Sequence, residues 1–157
     1  MSIPGLAEHL QPLAPLLDRT FRGELNESTP EKPMVDVSRW ERWLGGMAVR
    51  NLHSVNDGEY GGETIVYWDR EKSSLVYFYF TTAGFYSRGT MTVDRTRFTS
   101  YEDLVGNKNG IAAVRSTQEL LPDGRLRTRA EYLQHGKWVE GHSATYVEAP
   151  GAEVRFR

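Results

Sequence analysis

From Arg19 onward, apolar and polar residues alternate in short runs that are interrupted at close intervals by turn-forming residues. The runs cover 19–25, 34–42, 46–55, 60–68, 74–81, 85–93, 96–102, 111–120, 125–134 and 138–148, and each predicts a strand. Asn56-Asp57-Gly58 and Pro122-Asp123-Gly124 accept the positive φ angles of tight hairpins. Leu44-Gly45-Gly46, Ala83-Gly84, Asp94-Arg95, Gly106-Asn107 and His135-Gly136 mark the other breaks. Links this short join antiparallel neighbours, because a parallel crossover needs about a dozen residues or more. A succession of hairpins is a meander, and closing it removes both exposed edges. The predicted fold is therefore all-β, an up-and-down antiparallel β-barrel of about ten strands. A Greek-key sandwich would need a long connection that the chain does not offer.

The first residues follow another rhythm. Leu6, Leu10, Leu13, Leu16 and Leu17 recur at spacings near three and four, which predicts a short helical cap broken by Pro12 and Pro15 that plugs one mouth. The chain reads as one domain: cap 1–18, barrel strands 19–148 and C-terminal tail 149–157.

Register predicts facing. A two-residue Asp57-Gly58 turn pairs Asn56 with Glu59 and sets the ladder behind them. Met47, Val49, Asn51, His53 and Val55 then share a face with Tyr60, Gly62, Thr64, Val66 and Trp68, and this more apolar face is read as interior. In 125–134, Arg125, Arg127, Arg129 and Glu131 point outward to water, and Leu126, Thr128, Ala130 and Tyr132 inward. The run Leu75–Phe80 is apolar on both faces. Its outer face predicts a cover, either the N-terminal helix or a second copy in a homodimer, unless its tyrosine hydroxyls line an inner pocket. Gly62 and Gly89 lie inside strands, where glycine marks a bend or a close approach.

Composition narrows the chemistry. The chain of 157 residues has no cysteine, so disulfides and thiol catalysis are excluded. A net charge of −2 offers no general attraction for nucleic acid. No apolar run is long enough for a membrane helix, and Pro4, Glu8, His9, Pro12 and Pro15 interrupt the opening segment where an export signal would need its core. The expectation is a cytoplasmic protein with neither nucleic-acid nor membrane partners. Glycine-rich phosphate loops, nucleophile elbows and zinc motifs are all missing from the sequence. The histidines are His9, His53, His135 and His142, no two at metal-ligand spacing. His53 and His142 lie in strands with aromatic company.

Pro12-Leu13-Ala14-Pro15-Leu16-Leu17 followed by Thr20-Phe21-Arg22-Gly23 resembles the opening helix and first strand of the nitrobindin-like barrels, relatives of lipocalins and fatty-acid-binding proteins. Asp103-Leu104-Val105-Gly106-Asn107 resembles a turn of that family, and Asp123-Gly124 falls at one of its hairpins. The resemblance implies a b-type haem inside the barrel, with His142, in Glu140-Gly141-His142-Ser143-Ala144, as the proximal iron ligand. Register leaves the direction of His142 open. A two-residue His135-Gly136 turn pairs it with Arg129 and points it outward, whereas a three-residue turn reverses it.

Three functions follow. The leading one is a small-molecule-binding barrel that holds a largely apolar ligand among His53, Asn51, Val49, Val66, Trp68, Tyr132 and His142. The second is a haem protein built on His142. The third is a small barrel enzyme using interior groups such as His53, Asn51 and a tyrosine for acid–base work. No assembled catalytic constellation is legible, so the sequence favours a binder over an enzyme.

Overall fold

The computed structural model describes residues 2–104 and 109–157. The Gly106-Asn107 break, and Val105 with it, lies outside the described residues. Ten antiparallel strands form a closed barrel in which each strand pairs with the next and the last with the first. They are β1 (Arg19–Leu25), β2 (Val35–Trp43), β3 (Ala48–Val55), β4 (Tyr60–Asp69), β5 (Ser74–Thr81), β6 (Tyr86–Asp94), β7 (Arg97–Asp103), β8 (Ile111–Leu120), β9 (Leu126–Gln134) and β10 (Lys137–Glu148). Every predicted run is a strand, with ends displaced by at most two residues.

The predicted β3–β4 register holds, with Val55 opposite Tyr60 and His53 opposite Gly62. The loop is longer than expected, because Asn56, Asp57 and Gly58 all take positive φ before Glu59. Two and four loop residues share one parity, so the same side chains face inward. Met47 is the exception. It caps a 3₁₀ turn over Leu44–Gly46 ahead of the strand and is 45% exposed.

The N-terminal cap is a 3₁₀ helix over Glu8–Leu16 rather than an α-helix. A 3₁₀ helix repeats every three residues, so Leu10, Leu13 and Leu16 eclipse one another in a single stripe. All three are fully buried, while Pro12 and Pro15 remain exposed on other sides of the helix. The stripe closes one end of the barrel over Phe21, Trp40, Val49, Val66, Leu75 and Leu126. The Asp18 N–H donates to the Trp40 carbonyl at 2.8 Å, tying the cap to β2.

The opposite end is built differently. Inward Tyr60, Tyr79, Ser87, Ser116, Ala130 and Tyr132 are only partly buried. On the outer wall, Arg127 pairs with Glu119 at 3.0 Å and Arg129 with Glu140 at 3.1 Å, in keeping with their outward facing. The outer side of β5 is not covered by the cap: Phe80 is 46% exposed and packs on Tyr86, itself 65% exposed. The tail turns back over β3 and β4, where the Arg155 N–H donates to Ser54 Oγ at 3.0 Å.

Candidate functional site

Alternation along five separate strands brings Asp36 (β2), His53 (β3), Tyr60 (β4), Tyr79 (β5) and Tyr146 (β10) to one region of the inner wall. Their polar atoms form a continuous chain. His53 Nδ1 lies 3.0 Å from Asp36 Oδ1, and His53 Nε2 lies 2.7 Å from the Tyr79 hydroxyl. The Tyr79 hydroxyl meets that of Tyr60 at 3.1 Å. Tyr146 donates to the other oxygen of Asp36 at 2.7 Å. Asp36 is buried at 5% exposure, whereas the His53 side chain keeps 17%. Beside them, Asn51 donates to Ser38 Oγ at 2.7 Å and to the Arg39 carbonyl, so its amide is committed to β2.

Glycines make room for the tyrosines. A Cβ at Gly62 would lie 2.5 Å from Tyr79 Cε1, and one at Gly89 would lie 2.8 Å from the Tyr77 hydroxyl. The bare strand surface at Gly62 lets the Tyr79 ring lie down toward His53, which accounts for a glycine inside β4. Gly23 and Gly141 receive the rings of Tyr146 and Tyr132 in the same way.

Burial pushes the Tyr79 hydroxyl above the usual phenol range, reinforced by Tyr60, Asp36 and Glu102. Burial does the same at Tyr146, with the Asp36 carboxylate adding to it. Both hydroxyls therefore remain protonated donors at neutral pH. Glu102, on β7, carries a carboxyl raised by burial against the opposing effect of a hydrogen bond with Ser87. Its Oε2 is buried with no partner among the described residues, as is the indole N–H of Trp40.

Of the residues expected to line the interior, His53 and Asn51 belong to this region, and Tyr132 stands on the inner wall of β9. Val49 and Val66 are fully buried under the cap, and Trp68 lies at that same end with His9 stacked on its ring at 3.6 Å. These three fill the closed half and do not meet His53. His142 stands apart. The His135-Gly136 turn has two residues, yet a bulge between Glu140 and Ser143 shifts the register, so Ser143 and not His142 faces Arg129. His142 sits in that bulge with its side chain 58% exposed and Nδ1 held by Glu27. Glu27 on Nδ1 is the kind of carboxylate partner that an iron-bound imidazole keeps, and the ring meets inner-wall Tyr132 edge-on at 6.3 Å. What does not fit a haem enclosed by the barrel is the exposure of the His142 side chain.

The outer wall carries a groove of about 690 Å³ over Glu24, Arg97, Glu119, Arg127 and Arg129. It lies on the opposite face of the sheet from the hydroxyl–imidazole chain, and its arginines are paired with neighbouring carboxylates.

The barrel has a solved counterpart. The crystal structure of Rv2717c from M. tuberculosis superposes with a TM-score of 0.62, covering 92% of this chain and 99% of that one at 16% identity. At that identity the likeness is one of fold alone. No family profile matches the chain, and no curated protein matches it. Among the described residues no helix is long and apolar enough to cross a membrane.

Asp36, Tyr146 and Glu102 escaped the sequence reading. Tyr146 and Glu102 come from strands far along the chain from His53, whereas Asp36 stands on neighbouring β2. Carrying the β3 parity through the Leu44–Gly46 turn to β2 would have placed Asp36 on the inner wall.

Proposed function

We propose that the protein binds a small, largely apolar molecule in the half of the barrel remote from the cap, with a polar group of that molecule anchored at Tyr60 and Tyr79. The observation that carries this reading is the contrast on the inner wall. A sealed, apolar half supplies rigidity, and a partly exposed half gathers aromatic faces with a few convergent polar atoms. Binding sites for small molecules combine those features: apolar lining for affinity, and a few fixed polar groups for orientation.

The fluorescent amine N-phenylnaphthylamine, uncharged and brighter in apolar surroundings, tests it. Saturable enhancement is expected with the wild-type protein. Ser116→Trp, which fills the inner wall at β8, should abolish it, and Phe80→Ser on the outer wall should leave it unchanged. The opposite pattern would place the dye on the exposed Phe80–Tyr86 surface and sink the proposal.

A further inference from the structure

The hydrogen bonds around His53 have a direction. Asp36 uses Oδ2 to accept from Tyr146 and Oδ1 to accept from His53 Nδ1, which places the imidazole proton on Nδ1. With the imidazole neutral, Nε2 is then an acceptor, and at 2.7 Å it accepts a hydrogen bond from the Tyr79 hydroxyl. The Tyr79 oxygen in turn accepts from Tyr60 at 3.1 Å. Each hydrogen in the chain thus points toward Asp36. Tyr60, at the first position of β4 and only partly buried, is the open end. The described hydrogen bonds bring no donor to its oxygen.

We propose that this chain is a proton-accepting relay, and that the molecule bound in the barrel is a weak O–H or N–H acid such as a phenol or an enol. The inference rests on the reading of the inner space as a binding site. The occupant X–H donates to the Tyr60 oxygen. Tyr60 passes its own hydrogen to Tyr79, and Tyr79 passes its hydrogen to His53 Nε2. Three O–H or X–H bonds break, and two O–H bonds and one N–H bond form. No electron changes owner. The products are X⁻, held by the new Tyr60 hydroxyl, and an imidazolium held between Tyr79 and Asp36. The net charge of the interior is the same before and after, which spares the site the cost of creating an unpaired buried charge. Return of the proton to the same atom of X makes the site a binder of the ionised form. Return to another atom makes it a tautomerase.

The surrounding charges favour an occupant that enters neutral. The ionisable groups facing the chain are Asp36 and Tyr146 from the flanking strands and Tyr77 and Glu102 from β5 and β7. No lysine or arginine stands on the inner wall of β3 to β8 among the described residues. Along β3 to β8 a carboxylate ligand would meet no cation to pair with, whereas a neutral phenol brings a proton for which an acceptor is already oriented.

The test uses para-nitrophenol, whose ionised form absorbs at longer wavelength, with para-nitroanisole as the analogue lacking the proton. Displacement of N-phenylnaphthylamine reports occupancy for both. Bound para-nitrophenol is expected to show an ionised fraction at least about threefold that of the free compound at a pH where the free compound is mostly protonated. Tyr60→Phe and His53→Gln should leave whatever para-nitrophenol they bind protonated, with dye displacement measuring how much is bound and heat unfolding confirming that both variants fold. The proposal is overturned if para-nitrophenol displaces the dye but stays protonated in the wild type, or ionises equally in both variants. Failure of both compounds to displace bound dye also overturns it, because a phenol that cannot enter is not the occupant. Absence of dye binding in the wild type instead removes the binding site itself.

Discussion

The two halves of this barrel are made from the same strands and obey opposite rules. Under the cap, Leu10, Leu13, Leu16, Phe21, Val49 and Val66 reach zero exposure and contribute only shape and apolar area. In the other half, Asp36, His53, Tyr60 and Tyr79 stand on continuations of the same strands and satisfy one another through oriented hydrogen bonds. Apolar packing tolerates exchange of similar volumes, whereas a hydrogen-bonded chain fails when one link loses its donor or acceptor. Stability is thus concentrated at one end and chemistry at the other.

The sharpest break of that division is at the cap. Leu13→Ala should destabilise the protein by about 3 kcal/mol, lowering the unfolding temperature by roughly 10 °C, with dye affinity unchanged below the transition. A loss of dye affinity in the folded variant would show that the halves are not independent. Next in size is Asp36→Ala, which strands the donors of His53 and Tyr146. It should cost about 2 kcal/mol in denaturant unfolding and weaken dye binding as well. If Asp36→Ala unfolds like the wild type, the polar half does not depend on its chain.

The smallest effect concerns Glu102. Its carboxyl lies above the ordinary glutamate range in the folded state, so folding favours its protonated form. Its contribution to stability is fully present below the unfolded value and fades as pH rises toward the folded one. Glu102→Gln removes that fading and should raise the unfolding temperature by about 2 °C near pH 8, with little change near pH 4. Equal shifts at both pH values would assign the effect to packing instead.

Much of this architecture is legible in the sequence because hairpin chemistry is local. Asp57-Gly58 settles the parity of β3 and β4, and with it the inward facing of His53 and Asn51, even though the loop is longer than a two-residue turn. The leucine stripe is legible as a cap, but its period of three under two prolines makes it a 3₁₀ helix. The chain of polar groups was not legible as a unit. Its members span several hairpins, and the last of them is joined by closure of the barrel, which brings Tyr146 of β10 to Asp36 of β2 across β1. His142 shows the converse limit. A single extra residue at the Glu140–Ser143 bulge alters the alternation on which any facing argument from the turn depends.

Closure of β1 on β10 also shapes how the chain folds in time. Neighbouring strands can pair as soon as their hairpins form, but the β1–β10 seam joins the two ends of the barrel sequence and must pay the entropy of a very long loop. Until that seam zips, β1 presents a bare edge, and the Asp36–Tyr146 bond that spans it is still unmade. The Tyr146–Asp36 bond therefore completes with that last seam, and a chain arrested before it would carry the Asp36–His53–Tyr79–Tyr60 links with one oxygen of the carboxylate still unbound by Tyr146.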